Sequence, residues 1–337
     1  MSSPAIPAAD DLCHSRAWYA TLHFDDLSDW RRDNNAIYRG YRQIQRSYHG
    51  CTWSLFYFHN ETVNVYTHLV GCLLFVGFAV ALVMDHLRNI AAIDAAAPSP
   101  TGPHASGLAR SLDVVITLVF LAGAIICLGL SGLFHLFCCH SREVSQAWNR
   151  CDYVGIVALI VFSYFPPVYW AFLCQPMLQL LYLGTIVVFG IGTMVAVMNA
   201  RLATPAYRWL RTGLFSMLGL AGIVPVLHST LRFGLPFTRH ALGFDDLLLM
   251  GAMYLTGAVI YAARWPECIW PGRFDLVGHS HQIFHCLVVA AALVHYRCAI
   301  HLQTYWQGIV ATTPGLCAIP PAQLAAQALS HPADLPS

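Results

Sequence analysis

Seven stretches of roughly twenty mostly apolar residues recur along this chain of 337 residues, and they restrict what it can fold into more than any other feature. In a bilayer core every backbone N–H and C=O must be satisfied internally, so runs of that length cross as helices. The windows fall at Val63–Met84, Leu112–Phe137, Tyr153–Leu173, Met177–Met198, Leu214–His228, Leu247–Ala263 and Gln282–Ile300, with the fifth and sixth the shortest. Hydrophobic residues make up 57% and charged residues 10%, which fits a polytopic membrane protein and not a soluble domain. The expected fold class is all-α membrane, a seven-transmembrane helix bundle.

Charge sets the expected orientation and removes several functions. All eighteen basic residues are Arg. Without a lysine the chain cannot form a retinal Schiff base, a pyridoxal-phosphate aldimine or a P-loop, so a retinal photoreceptor is excluded. A net charge of +1 without a basic cluster gives no surface for nucleic acid. With a cytosolic N-terminus, thirteen Arg lie on the inner side and five (Arg88, Arg110, Arg232, Arg239, Arg297) on the outer, which favours N-in and C-out.

The domain reading is then a cytosolic N-terminal region over 1–50, a seven-helix membrane domain over 51–311 with a flexible outer loop at 85–111, and a disordered outer tail over 312–337. No secretory signal is expected at the start. Trp30–Tyr48 suits a segment lying along the cytosolic interface, and Cys51–Phe58 suits a short interfacial helix. A solvated tail with a few anchoring aromatics explains this region equally well. The sequon Asn60-Glu61-Thr62 falls in the cytosol, where it is expected to stay unmodified. The twelve cysteines are scattered and suggest no framework, although Cys174 and Cys298, near the outer ends of two spans, are candidates for a disulfide.

Polar groups converge at one depth. His281 and His285 stand i, i+4 at the start of the seventh span, on one helix face. The second span ends on the same side with another i, i+4 pair, Ser131 and His135, and Arg150-Cys151-Asp152-Tyr153 opens the third. Three His, one Ser and one Asp can therefore meet at the cytosolic ends of three spans. Three His with an open position is the ligand set of a catalytic zinc site. Each residue also has a plainer explanation: an interhelical hydrogen bond for a His, back-bonding for Ser131, a helix cap for Asp152. His68, His140 and His279 are near enough to support such a site. Cys138 and Cys139, past His135, could replace a ligand. His228, His240 and His295 map towards the outer side.

At these residues the chain resembles the progestin and adipoQ receptor family, which includes the adiponectin receptors and the hemolysin III-like proteins. The motifs are Trp30 with Asp33-Asn34, Gly40-Tyr41-Arg42, His59–Asn64 followed by Thr67-His68, Ser131–His135, Asp152-Tyr153, Pro266-Glu267, Pro271–Asp275 and Ser280–His285. The resemblance spans Trp30–His301, and its short N-terminal region looks more like the fungal or plant-type members. It implies a zinc ion held by His135, His281 and His285 near the cytosolic face, with water held by Asp152 and Ser131 close by. The constellation is similar to that of alkaline ceramidases, and the adiponectin-receptor members are linked to ceramide hydrolysis.

Three functions follow from this reading. The first is a zinc-dependent amidohydrolase acting on a membrane lipid such as ceramide or another sphingolipid. The second is a receptor for an extracellular protein or lipid ligand, in which zinc is structural. The third, a zinc transporter, ranks last because spans four and six offer few polar groups along a pathway. Either the plasma membrane or an endomembrane could house the protein.

Overall fold

The computed structural model describes residues 19–96, 104–202, 204–313 and 315–330. Among the described residues, twelve α-helices run in chain order: α1 Tyr48–Trp53, α2 Thr62–Ala96, α3 His104–Phe137, α4 Arg142–Ser163, α5 Phe165–Ala171, α6 Pro176–Val197, α7 Arg208–Leu220, α8 Ile223–Phe233, α9 Leu235–Ala241, α10 Phe244–Ala263, α11 Ser280–Thr312 and α12 Pro321–Ser330. Seven helical stretches are long and apolar enough to span a bilayer: Thr62–Ala92, Ser111–Phe137, Arg142–Ala171, Pro176–Val197, Pro205–Phe233, Phe244–Ala263 and Ser280–Thr312. All seven expected windows lie within or against these helices.

Two spans are built from two pieces, for reasons local to the sequence. The third starts well before its apolar window because the Ser141 side chain caps α4 by accepting from the Val144 amide. It is interrupted at Tyr164, where Pro166 begins α5 and cannot donate to a continuing ladder. The fifth is interrupted at Ala221-Gly222, three residues before Pro225. The seven spans pack in a closed ring: each touches the next, and the seventh returns against the first and second. Outward-facing Leu73, Leu180, Leu181, Val188 and Leu231 are left exposed by the protein, as a hydrocarbon solvent requires.

The second and third spans approach closely because Gly155 faces the Cys127 backbone, where an added Cβ would lie 2.9 Å from its Cα. At the end of the bundle away from Asp152, the second, third and seventh spans are tied by polar contacts. Asp113 accepts from Tyr169 Oη at 3.0 Å and from Gln307 Nε2 at 3.1 Å, while Thr117 donates to Gln303 at 2.7 Å.

At the opposite end, the N-terminal segment forms a cap over the loop between the sixth and seventh spans. The Tyr38 amide donates to Asp275 at 2.7 Å, the Gly272 amide to the Ala36 carbonyl, and Asn34 to Glu267 at 3.1 Å. The expected interfacial helix is present as α1 with a 3₁₀ turn at Ser54–Phe56.

Three expectations need correction. Cys174 bonds to Cys317, not Cys298. Cys298 is a free, buried thiol turned towards the carbonyls of Leu242 and Gly243. The tail is not structureless over its described part: past a turn at Gly315, α12 seats Leu324 and Ala328 against Trp170, Phe237 and Trp306. Of the stretch 85–111 expected as a flexible outer loop, residues 85–96 and 104–111 are helical, and residues 97–103 lie outside the described ones.

Candidate metal centre

His135, His281 and His285 come together, with one ligand nitrogen from each lying within 4.8 Å of the others. Their ring centroids are 4.7–4.8 Å apart pairwise. His135 reaches the group from the last turn of the second span, the other two from the first turns of the seventh. Tetrahedral zinc, with Zn–N of about 2.0–2.1 Å, needs nitrogens about 3.3 Å apart.

Neighbouring acceptors decide which nitrogen is free. His135 Nδ1 lies 2.7 Å from Glu61 Oε2, and an ionised carboxylate only accepts, so Nδ1 carries the proton. That leaves Nε2 as a lone pair, and Nε2 is buried without a hydrogen-bond partner. His285 Nδ1 is 3.3 Å from the Asn64 carbonyl, which likewise only accepts, so its Nε2 is also free. An orphaned, buried imidazole nitrogen facing two further imidazoles fits a metal ion and has no comparable protein partner.

Glu61 is itself fixed by Asn64 Nδ2 at 2.6 Å. Burial alone would push its carboxyl up, but the hydrogen bonds it accepts from His135 Nδ1 and Asn64 Nδ2 favour the ionised form. His68 stacks face to face on His285, with centroids 3.6 Å apart. The first span thus contributes no member of the triad but surrounds it.

Ser131, one helical turn before His135 on the second span, and Asp152 on the third are both buried. Of the expected five residues, His135, His281 and His285 are the three brought into one group. His279 bonds the Asn60 carbonyl at 3.2 Å, and the His140 ring lies tilted against Tyr48 with centroids 4.6 Å apart. Cys138 bonds Arg42 and Cys139 faces Cys51, so neither replaces a ligand. His228 pairs with Tyr182, and His295 is buried against Phe120, both apart from the site.

Sequence reasoning overlooked the orienting roles of Glu61 and Asn64, and that of Glu267. Glu267, fully buried, accepts from the Ser280 amide at 2.8 Å and from the Ser280 hydroxyl, capping the seventh span just before His281. The available signal was an unusually polar run, His59–Asn64, directly against an apolar span.

The model of the Haemolysin-III related family matches residues 56–296. The Adiponectin receptor protein of Drosophila melanogaster is 36% identical over 295 residues, covering 86% of this chain and 62% of that longer protein. Heptahelical transmembrane protein 1 of Arabidopsis thaliana is 39% identical over 280 residues, covering 83% of this chain and 80% of its own length. An ADIPOR-like receptor of Eremothecium gossypii is 35% identical over 275 residues, covering 81% and 82%. With seven spans and a buried His triad, the chain belongs to the haemolysin-III-related, adiponectin-receptor-like family of heptahelical proteins and is a multi-pass integral membrane protein.

Proposed function

We propose that this protein is a zinc-dependent amide hydrolase of the ceramidase kind, with His135, His281 and His285 as the metal ligands. The observation that carries the proposal is the unpartnered, buried Nε2 of His135 among two more imidazoles. A zinc ion bound there would supply Lewis acidity and make water a nucleophile near neutral pH.

The chain's own residues do the rest. Asp152 takes the proton from water as its oxygen attacks the amide carbon, then delivers it to the departing nitrogen as the C–N bond breaks. Ser131, buried one helical turn before His135, is the hydroxyl available to help stabilise the developing oxyanion. The surrounding spans exclude bulk water and leave an apolar environment suited to an acyl chain, which favours a lipid amide such as ceramide over a soluble one. The family is also known through receptors, and a structural zinc in a ligand-sensing protein is the second reading, favoured by the names of the Drosophila and Eremothecium relatives.

We also propose an N-in, C-out orientation. Disulfides persist in oxidising compartments, and Cys174–Cys317 closes the end of the bundle away from the triad, whereas the free Cys51, Cys138 and Cys139 cluster at the triad end.

The test is fatty-acid release from ceramide by purified protein, with zinc quantified in the same samples. Wild type should carry about one zinc and turn over; Asp152→Asn should keep zinc and lose at least roughly a hundredfold in rate; His281→Ala should lose zinc. Zinc without turnover in every variant would favour the receptor reading. No zinc in folded wild type would sink both.

A further inference from the structure

Beside the triad, but separate from it, a second cluster of reactive side chains surrounds Arg42. This guanidinium is 1% exposed. Its side-chain donors go to Ser54 Oγ at 2.8 Å, the Leu136 carbonyl at 2.9 Å, the His135 carbonyl and Cys138 Sγ at 3.2 Å. All are neutral acceptors, and among the described residues Arg42 makes no ion pair with a carboxylate. A buried charge left so is costly and favours an anion close by. The ionisable groups that feel its charge most are the thiols of Cys139 and Cys138, ahead of Glu61 and Tyr57. Cys139 Sγ lies 3.6 Å from Cys51 Sγ, and both residues are buried. Cys51 belongs to α1; Cys139 stands just past the end of α3, where the backbone amides of Gln45 and Arg46 dock on the carbonyls of Cys139 and His140.

We propose that Cys51 and Cys139 form a reversible redox site, a dithiol that a peroxide-class oxidant converts into a disulfide joining α1 to the end of the second span. The step balances. The Cys139 thiolate attacks one peroxide oxygen, an S–O bond forms as O–O breaks, and the leaving hydroxide takes up a proton to give water. The Cys51 thiol then attacks that sulfur, S–S forms, S–O breaks and a second water departs. Two sulfurs lose one electron each, and one peroxide becomes two waters.

Three further observations support the site. Closing the Sγ pair from 3.6 Å to about 2.05 Å needs a shift of about 1.5 Å. The bond to Cys51 and the charges of Arg42 and Arg31 outweigh burial and lower the Cys139 thiol, which favours it as the attacking sulfur. A small oxidant would reach the buried pair through local opening of α1, a helix of only six residues. Arg42 also holds the carbonyls of His135 and Leu136, so the bridge would form against the turn that carries His135.

The experiment treats the purified full chain with hydrogen peroxide, alkylates remaining thiols and maps bridges by non-reducing peptide mass spectrometry. Cys174–Cys317 serves as a standing internal reference. In wild type a Cys51–Cys139 bridge should rise from trace to the majority of chains and disappear with a thiol reductant. Cys138→Ser should bridge like wild type; Cys51→Ser should not. Fragmentation of the wild-type bridged peptide assigns the sulfur directly should either variant fail to fold. The proposal is overturned if Cys51 and Cys139 stay fully alkylated in peroxide-treated folded protein, if Cys138 is the bridged partner, or if oxidation stops at sulfinic acid.

Discussion

At the scale of single residues, chemistry at the triad end of the bundle is set by groups that orient others. Glu61 illustrates this: it holds His135 in the tautomer that leaves Nε2 free. Outer partners of this kind typically contribute ten- to a hundredfold to metal affinity. Glu61→Gln should therefore weaken zinc binding by about that factor while the protein stays folded, as measured by chelator competition; unchanged affinity would remove Glu61 from the site. His59 behaves differently. It is 2% exposed, and its Nδ1 accepts from the Glu61 amide at 3.1 Å. Burial, then the Arg42 charge, lowers its pKa to about 3 against a weaker opposing pull from Glu61. The folded state therefore binds fewer protons than the unfolded chain between pH 6.5 and about 3. Stability from this residue is fully present above pH 6.5 and falls by about 1.4 kcal/mol per unit below it. Thermal unfolding in detergent across pH 7 to 5 should show that decline, and His59→Gln should flatten it.

At the scale of elements, close approach and capping decide where the site residues land. The second span carries Ser131 and His135 and the third carries Asp152, so their separation fixes the distance from triad to carboxylate. Gly155 sets that separation against Cys127. Gly155→Val should cost about 1–3 kcal/mol by overpacking, whereas Gly184→Ala, where an added Cβ meets nothing within 4 Å, should be nearly neutral. Equal losses in the two variants, read as melting temperatures, would refute a specific contact. This level was partly legible in the sequence. Apolar length alone located seven spans, and the i, i+4 pairs placed His and Ser on single faces. The early start of the third span was not visible, because a Ser141 cap and a polar first half carry no hydropathy signal. Nor was the disulfide partner of Cys174, since pairing depends on where the chain returns after Thr312, which spacing does not specify.

At the scale of the whole molecule, the ring of spans has two chemically distinct ends. One carries the triad, the thiol cluster and the N-terminal cap; the other carries the Asp113 clamp, Cys174–Cys317 and α12. If the disulfide end faces outwards, an impermeant maleimide added to intact, reductant-treated cells should label Cys174 or Cys317 and leave Cys51 and Cys139 unlabelled until the membrane is opened. The reverse pattern would invert the proposed orientation. What the sequence determined by itself was the membrane class, the number of spans, and a His–Ser–Asp set shared by one depth. These follow from local properties: hydropathy over twenty residues, helical periodicity and the side on which each span begins. Only the tertiary structure decided which nitrogen of His135 is free, that Glu61, Asn64 and His68 enclose the triad, that Glu267 caps the seventh span, and that Cys139 meets Cys51. Those contacts join segments tens to hundreds of residues apart, and their geometry arises only when the ring closes and the buried polar groups must find partners.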